Sequence, residues 1–308
     1  MSEGSSSRDV VEVSPDRDSA RPLPMPWADY SRGVVEAWRT LLEDDPEERS
    51  VHEFLELHPS MVPGGSGDIG PGGHHGATHA ALFSEPELTG AGRRFEPDFM
   101  WVTRSTGLIT PILIEIEKPS KRWFRQDGRP NAEFTHAHDQ LNDWRSWFAR
   151  DANKVMFRDR FMFGERYDDR PIEPVYLLIY GRAAEFEHGG GHRDPEALRH
   201  KRDQQRVADE SFMTFDSLKP KSDHAESITV KMTATGAEAV AFSPVYGTDT
   251  RAGQVSAAIR GIDAALDRTV MITTERREYL KGRFRYWSNY EDELRRRDAL
   301  RIDSMGSE

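Results

Sequence analysis

No cysteine occurs among the 308 residues. Disulfide-built scaffolds, thiolate metal cages and thiol nucleophiles are therefore excluded. The chain also lacks any apolar run near the roughly 18 residues that a membrane-spanning helix needs. Its opening, MSEGSSSRDVVEVSPDRDSARPLP, has no apolar centre of the signal-peptide kind, so a cytoplasmic location is expected. The phosphate-cradling GxxxxGK[ST] pattern is absent, which argues against nucleotide hydrolysis. An excess of positive charge is missing too, since 42 basic against 53 acidic residues leave a net charge of −11. That balance disfavours a protein that coats nucleic acid, but not one that meets phosphates through a metal ion and local basic patches.

What is present begins after a tail. Residues 1–24 are Ser, Asp, Arg and Pro with almost nothing to bury, and read as disordered. From Trp27 to Leu42 apolar residues recur at steps of three and four, the spacing of an amphipathic helix in the segment 25–46. Pro46 opens a second helix with Val51, Phe54 and Leu55 on its apolar stripe, and His58-Pro59 ends it. The stretch Gly64 to His79 is glycine-rich and reads as a solvated surface loop. Its three histidines, His74, His75 and His79, have no cysteine beside them and no helical spacing, so zinc is not the preferred reading.

The informative region runs from Arg93 to Asp216. Pro97 to Val102 and Pro111 to Glu117 alternate as two strands. With a turn whose tip is Thr106-Gly107, residues whose numbers sum to 213 face each other, so Asp98 stands opposite Glu115, with Cβ atoms about 4.5–5.5 Å apart. Opposed carboxylates repel, and a fold that keeps them does so with a cation between them or a shared proton. Hard oxygen ligands in this number suit Mg²⁺ or Mn²⁺, which fill their other positions with water and phosphate. Solvated acids on an exposed hairpin face are the competing interpretation. Directly after the second strand come Lys118, Lys121, Arg122, Arg125 and Arg129 with Trp123 and Phe124 among them, a mixture suited to phosphate contact and base stacking. A helix from Ala132 to Arg150 follows, its buried stripe formed by Ala137, Leu141, Trp144 and Phe148, and Gln140 lies on the shoulder of that stripe, able to point back to the sheet. Val175 to Tyr180 is an apolar strand, Asp194 to Asp209 a helix, and FMTFDSL a short closing strand. This order describes an α/β domain with a mixed central sheet flanked by helices. Beyond it, SITVKMT and AVAFSPV form a hairpin, and Ala252 to Leu266 and Thr274 to Arg301 are helical, a smaller C-terminal appendage over 221–308. In the last helix Tyr279, Leu280, Phe284 and Trp287 are a packing stripe, and His136 and His138, two apart, diverge too far to chelate together.

Pro97-Asp98, then Glu115-Ile116-Glu117-Lys118, then Gln140 on a helix resemble the PD-(D/E)XK nuclease core, and the whole of 47–220 is similar to the Shedu antiphage defence nucleases. VHEFLELHPSMVPG resembles their lead-in helix, EPDFMWV and LIEIEKPS the catalytic hairpin, HDQLNDW the glutamine helix, VYLLIYGR the next strand and FMTFDSLKP the closing one. The resemblance implies a restriction-endonuclease-like fold and a metal-dependent DNA endonuclease that assembles into homo-oligomers. It would make Asp98 and Glu115 the metal ligands with the Ile116 carbonyl, Gln140 an orienting residue, and Lys121, Arg122, Trp123 and Arg125 contacts to substrate.

One position departs from that pattern. The lysine expected two residues after Glu115 is Glu117, and Lys118 comes one later, where strand alternation turns it to the opposite face. A bulge ahead of Pro119 would re-aim Lys118, or Glu117 would serve as a third carboxylate, with Glu53 or Glu56 of the lead-in helix as a further one. The remaining alternative is lost catalysis, leaving a module that binds nucleic acid or protein.

Overall fold

The computed structural model describes residues 21–70, 76–162, 170–249 and 251–305, with side chains considered up to 296. Most of the expected tail, as well as His74 and His75, lies outside them. Helix α1 (Trp27–Glu43) buries Tyr30, Val34, Trp38 and Leu42, one residue per turn. Helix α2 (Glu48–Leu57) ends at His58, and Pro59–Met61 continues as a single 3₁₀ turn. Strands β1 (Ala77–Ser84), β2 (Phe99–Arg104) and β3 (Ile109–Ile116) follow, then α3 (Ala132–Phe148), α4 (Asp151–Phe161), β4 (Val175–Ile179), α5 (Pro195–Gln205) and β5 (Glu210–Met213). The chain closes with β6 (Ile228–Thr233), β7 (Gly236–Phe242), α6 (Arg251–Ala258), the two-residue β8 (Ile259–Arg260), α7 (Ile262–Arg268) and α8 (Thr274–Met305).

The eight strands among the described residues form one mixed sheet in the order β5-β4-β3-β2-β1-β6-β7-β8. β2 and β3 pair antiparallel with Phe99 opposite Ile114 and Met100 opposite Leu113, the expected register, and β3 pairs parallel with β4. Alternation along these strands builds two cores, one on each face of the sheet. On one, Met100, Leu113, Tyr176 and Leu178 meet Phe134, Ala137, Leu141 and Trp144 of α3. On the other, Trp101, Ile112, Ile114 and Ile116 meet Tyr30, Val34, Val51 and Leu55 of α1 and α2. Every residue of β3 is buried as a result, and each large apolar side chain so enclosed contributes about 1.5–3 kcal/mol.

The structure departs from the sequence expectation in the C-terminal hairpin, in elements not foreseen and in the glycine-rich stretch. The C-terminal hairpin extends the main sheet, because β6 pairs parallel with β1. Leu280, Phe284 and Trp287 of α8 join the same core as α3, as a packing stripe should. Three elements went unforeseen: α4; β1, whose first residues fall in the expected loop; and β8, which with the left-handed Gly261 splits the helix expected over Ala252 to Leu266 into α6 and α7. The glycine-rich stretch is not solvated throughout: Gly64 and Gly65 are buried against Trp101, and a Cβ on Gly65 would lie 2.8 Å from the His224 ring and 3.0 Å from Trp101. Gly65→Ala is expected to lose about 1–3 kcal/mol by overpacking, measured as a lower urea midpoint with unchanged slope. Residues 65–70 do carry a GxGxxG spacing, but it leads toward β1 and opens no helix among the described residues, so it lacks the context of a dinucleotide site.

Candidate functional site

The site forms where β2 begins and β3 ends. Asp98 immediately precedes β2, and its carboxylate accepts a hydrogen bond from the Ile116 backbone N–H at 2.8 Å, clamping it to the end of β3. Glu115 and Glu117 are each 7% exposed and follow Leu113 on the α3 face of the sheet. Gln140 of α3 hydrogen-bonds the Glu115 carboxylate. Its helix is held on the sheet by His138, 2.9 Å from Glu210, and by Arg145, which reaches Glu210 at 2.6 Å and Asp209 at 2.9 Å. His138 is thus a half-buried anchor, while His136 is exposed.

Burial is the main reason these acids hold their protons. The Asp98 carboxyl is pushed up to about 8 by lost hydration, against the favourable Ile116 N–H, with Glu48, Glu117 and Glu85 repelling it further. Glu115 is raised well above the usual glutamate range by burial first and then by Asp98, Glu117 and Glu48, with the Gln140 amide opposing. The facing acids expected from the hairpin register are therefore electrostatically one unit.

The upstream carboxylate is Glu48, not Glu53 or Glu56. Glu53 pairs with Arg49 at 3.0 Å on the exposed side of α2. Glu56 is buried at the other end of that helix, accepting from Ser84 at 2.6 Å and pairing with Lys231 at 2.9 Å. Only the first turn of α2 overhangs the strand ends, so Glu48 is the acid that joins the site, raised by burial and then by Glu117.

The lysines separate as well. Lys118 points away and pairs with Glu47 at 2.7 Å, so no bulge returns it to the carboxylates. Lys121 instead pairs with Glu117. Burial works against its charge, but Glu117, with Glu133 and Glu48 behind it, more than compensates and holds the amine above the usual lysine value. Trp123 does not support the base-stacking expectation: it is fully buried, with its ring centroid 4.8 Å from that of Phe134 and 5.1 Å from that of Tyr180, and Phe124 is buried beside it. Arg122 and Arg125 remain at the surface, the first near His192 and Glu185, the second 3.6 Å from Asp127. The Ile116 side chain lies in the opposite core.

Hard oxygen donors are what this arrangement offers. Among the described residues no three His, Asp or Glu side chains form a complete metal cage. Two carboxylates beside a strand-end carbonyl nonetheless fit Mg²⁺, which commonly takes one or two protein acids and keeps several waters.

Such a fold and site define an α/β protein with a paired-acid centre at the open end of a β-hairpin, overlooked by a helix glutamine. The chain belongs to the Shedu family of defence proteins: the family model for the C-terminal part of Shedu protein SduA matches residues 45–218, more than half of the sequence. No curated protein matches it. No helix among the described residues is long and apolar enough to cross a membrane.

Proposed function

We propose that the chain is a metal-dependent DNA endonuclease serving antiphage defence, with Asp98 and Glu115 as the metal ligands. The observation that carries this is the coupled acid pair beneath Gln140, which only a proton or a cation can neutralise. Asp98, Glu115 and the Ile116 carbonyl would hold Mg²⁺ or Mn²⁺, which when bound supplies a water nucleophile at neutral pH and stabilises charge on the scissile phosphate.

The chain's own residues arrange that chemistry. The Ile116 N–H fixes one oxygen of Asp98, leaving the other free to coordinate. Gln140 orients Glu115 by a hydrogen bond that survives its ionisation. Arg122 and Arg125, exposed on the segment that follows β3, would supply positive charge for the DNA backbone, where the overall charge of −11 would repel it. Self-association into homo-oligomers belongs to the same proposal and is read from the mass in solution.

Incubating the protein with supercoiled and linear DNA in Mg²⁺, Mn²⁺ or chelator tests the reading. Cleavage is expected with either metal, none with chelator and none from an Asp98→Ala, Glu115→Ala variant. DNA binding without cleavage under every metal would replace the enzyme with a binding module.

A further inference from the structure

We infer that Lys121, not Lys118, is the lysine of this site, a catalytic group held at the carboxylates by Glu117 and directed at the scissile phosphate or the attacking water. The inference rests on the nuclease reading above.

Chain direction after β3 supports it first. Lys118 continues the strand and leaves on the wrong face, toward Glu47. Pro119 and Ser120 then turn the backbone, and the turn is closed by the Lys121 N–H donating to the Lys118 carbonyl at 3.0 Å. Reversal at this point returns the next side chain to the face of Glu115 and Glu117, where the Lys121 ammonium meets Glu117. Glu117 thus occupies the usual lysine position and also binds the lysine that replaces it.

Rigid support for that side chain comes from the residues that follow. Trp123 is sealed in the core, and the Trp123 and Phe124 N–H groups donate to the Glu185 carboxylate at 2.9 and 3.0 Å. Gly181 permits the close approach from the other side: a Cβ there would stand 2.8 Å from the Lys121 carbonyl oxygen. The Trp123 that the sequence offers to a nucleic-acid base is therefore the anchor of Lys121.

A cleft of about 340 Å³ opens beside this lysine, with Ser120, Lys121, Arg122, Arg182 and Glu185 among its walls, Arg122 lying 3.8 Å from Glu185. Arg182 is engaged by Asp216 at 2.8 Å. Lys121 stands between this cleft and the carboxylates, at the junction that a phosphate backbone approaching the acids would cross. An ammonium there donates to a phosphate oxygen or to water as negative charge develops.

Full-length wild type, Lys121→Ala, Lys121→Arg and Lys118→Ala are to be compared on supercoiled plasmid with Mg²⁺, with melting temperature as the folding control and Mn²⁺ affinity by calorimetry as a readout independent of turnover. Lys121→Ala is expected to lower kcat by roughly 100-fold or more with little change in KM, and Lys121→Arg to recover part of the rate. Mn²⁺ affinity should be kept in both. Lys118→Ala, which loses only a surface ion pair, should stay within about threefold of wild type. Near-normal turnover of Lys121→Ala, or a larger loss in Lys118→Ala, overturns the assignment and leaves the nuclease standing. Loss of Mn²⁺ affinity in Lys121→Ala also overturns it, because the lysine would then act by holding the site together. Wild-type protein that cuts no DNA with any metal removes the nuclease reading and this inference with it.

Discussion

An Asp98→Asn, Glu115→Gln protein is expected to lose DNA cleavage by roughly 10³-fold or more and, in chelator at pH 8, to melt at a higher temperature than wild type. The two effects share one cause. In the folded chain burial lifts the Asp98 carboxyl to about 8 and the Glu115 carboxyl well above its usual range, whereas in the unfolded chain both titrate near 4. Between about pH 4 and 8 the folded state therefore binds more protons than the unfolded state, and stability falls as pH rises through that window. Below it both states are protonated and the penalty vanishes. Toward its upper end the penalty is on the order of several kcal/mol. Amide replacements keep size and retain an oxygen that accepts from the Ile116 N–H, but carry no charge to bury.

Three measurements check this. The wild-type melting temperature, taken relative to the double amide variant, should decline from pH 5 to pH 8 in chelator. Millimolar Mg²⁺ or Mn²⁺ should remove much of that decline in wild type and leave the variant unmoved, since a ligand stabilises only the state that binds it. Metal binding near pH 7 should release protons, seen as a dependence of calorimetric heat on the buffer's ionisation enthalpy. A wild-type curve parallel to that of the variant, with or without metal, would refute the paired-acid site.

The legible parts of this site were those that local periodicity determines. Hairpin register follows from where the turn must lie, so Asp98 opposite Glu115 could be read from the residues alone, and the observed pairs Phe99–Ile114 and Met100–Leu113 continue to that position. The same period-two rule placed Lys118 on the wrong face, and it is there. What periodicity could not supply was the path of the chain beyond the strand. The turn at Pro119 and Ser120 decides that Lys121 faces Glu117, and it depends on where Trp123 finds its pocket, a tertiary matter. Glu48 escaped for a related reason. Helical spacing says which residues share a face of α2, not which end of the helix overhangs the sheet, so three acids of one helix looked alike. The start of β1 was hidden in a stretch where glycines suggest solvent, although Gly64 and Gly65 are there to let the backbone pass against Trp101 and Ile112. The C-terminal hairpin was legible as a hairpin, but its docking of β6 on β1 joins strands far apart in sequence.

Trp123→Ala carries the largest expected loss of stability, about 3–5 kcal/mol. The indole fills a pocket between α3 and the sheet, with ring centroids 4.8 Å from Phe134, 5.1 Å from Tyr180 and 5.6 Å from Phe212, and the Arg202 guanidinium lies 5.4 Å from its ring. Truncation leaves a cavity that these rigid rings cannot close. Because the same residue pins the segment that carries Lys121, turnover should fall in whatever fraction stays folded, while DNA affinity of that folded fraction changes little. Trp123→Phe, which refills most of the pocket, should recover stability and much of the rate. A base-stacking tryptophan would behave in the opposite way: alanine would leave the melting temperature intact and cost about 1–3 kcal/mol of single-strand affinity. Thermal melting alongside filter binding in Ca²⁺ separates the two. An unchanged melting temperature would mean that Trp123 is not the anchor, and the rigid placement of Lys121 would lose its support.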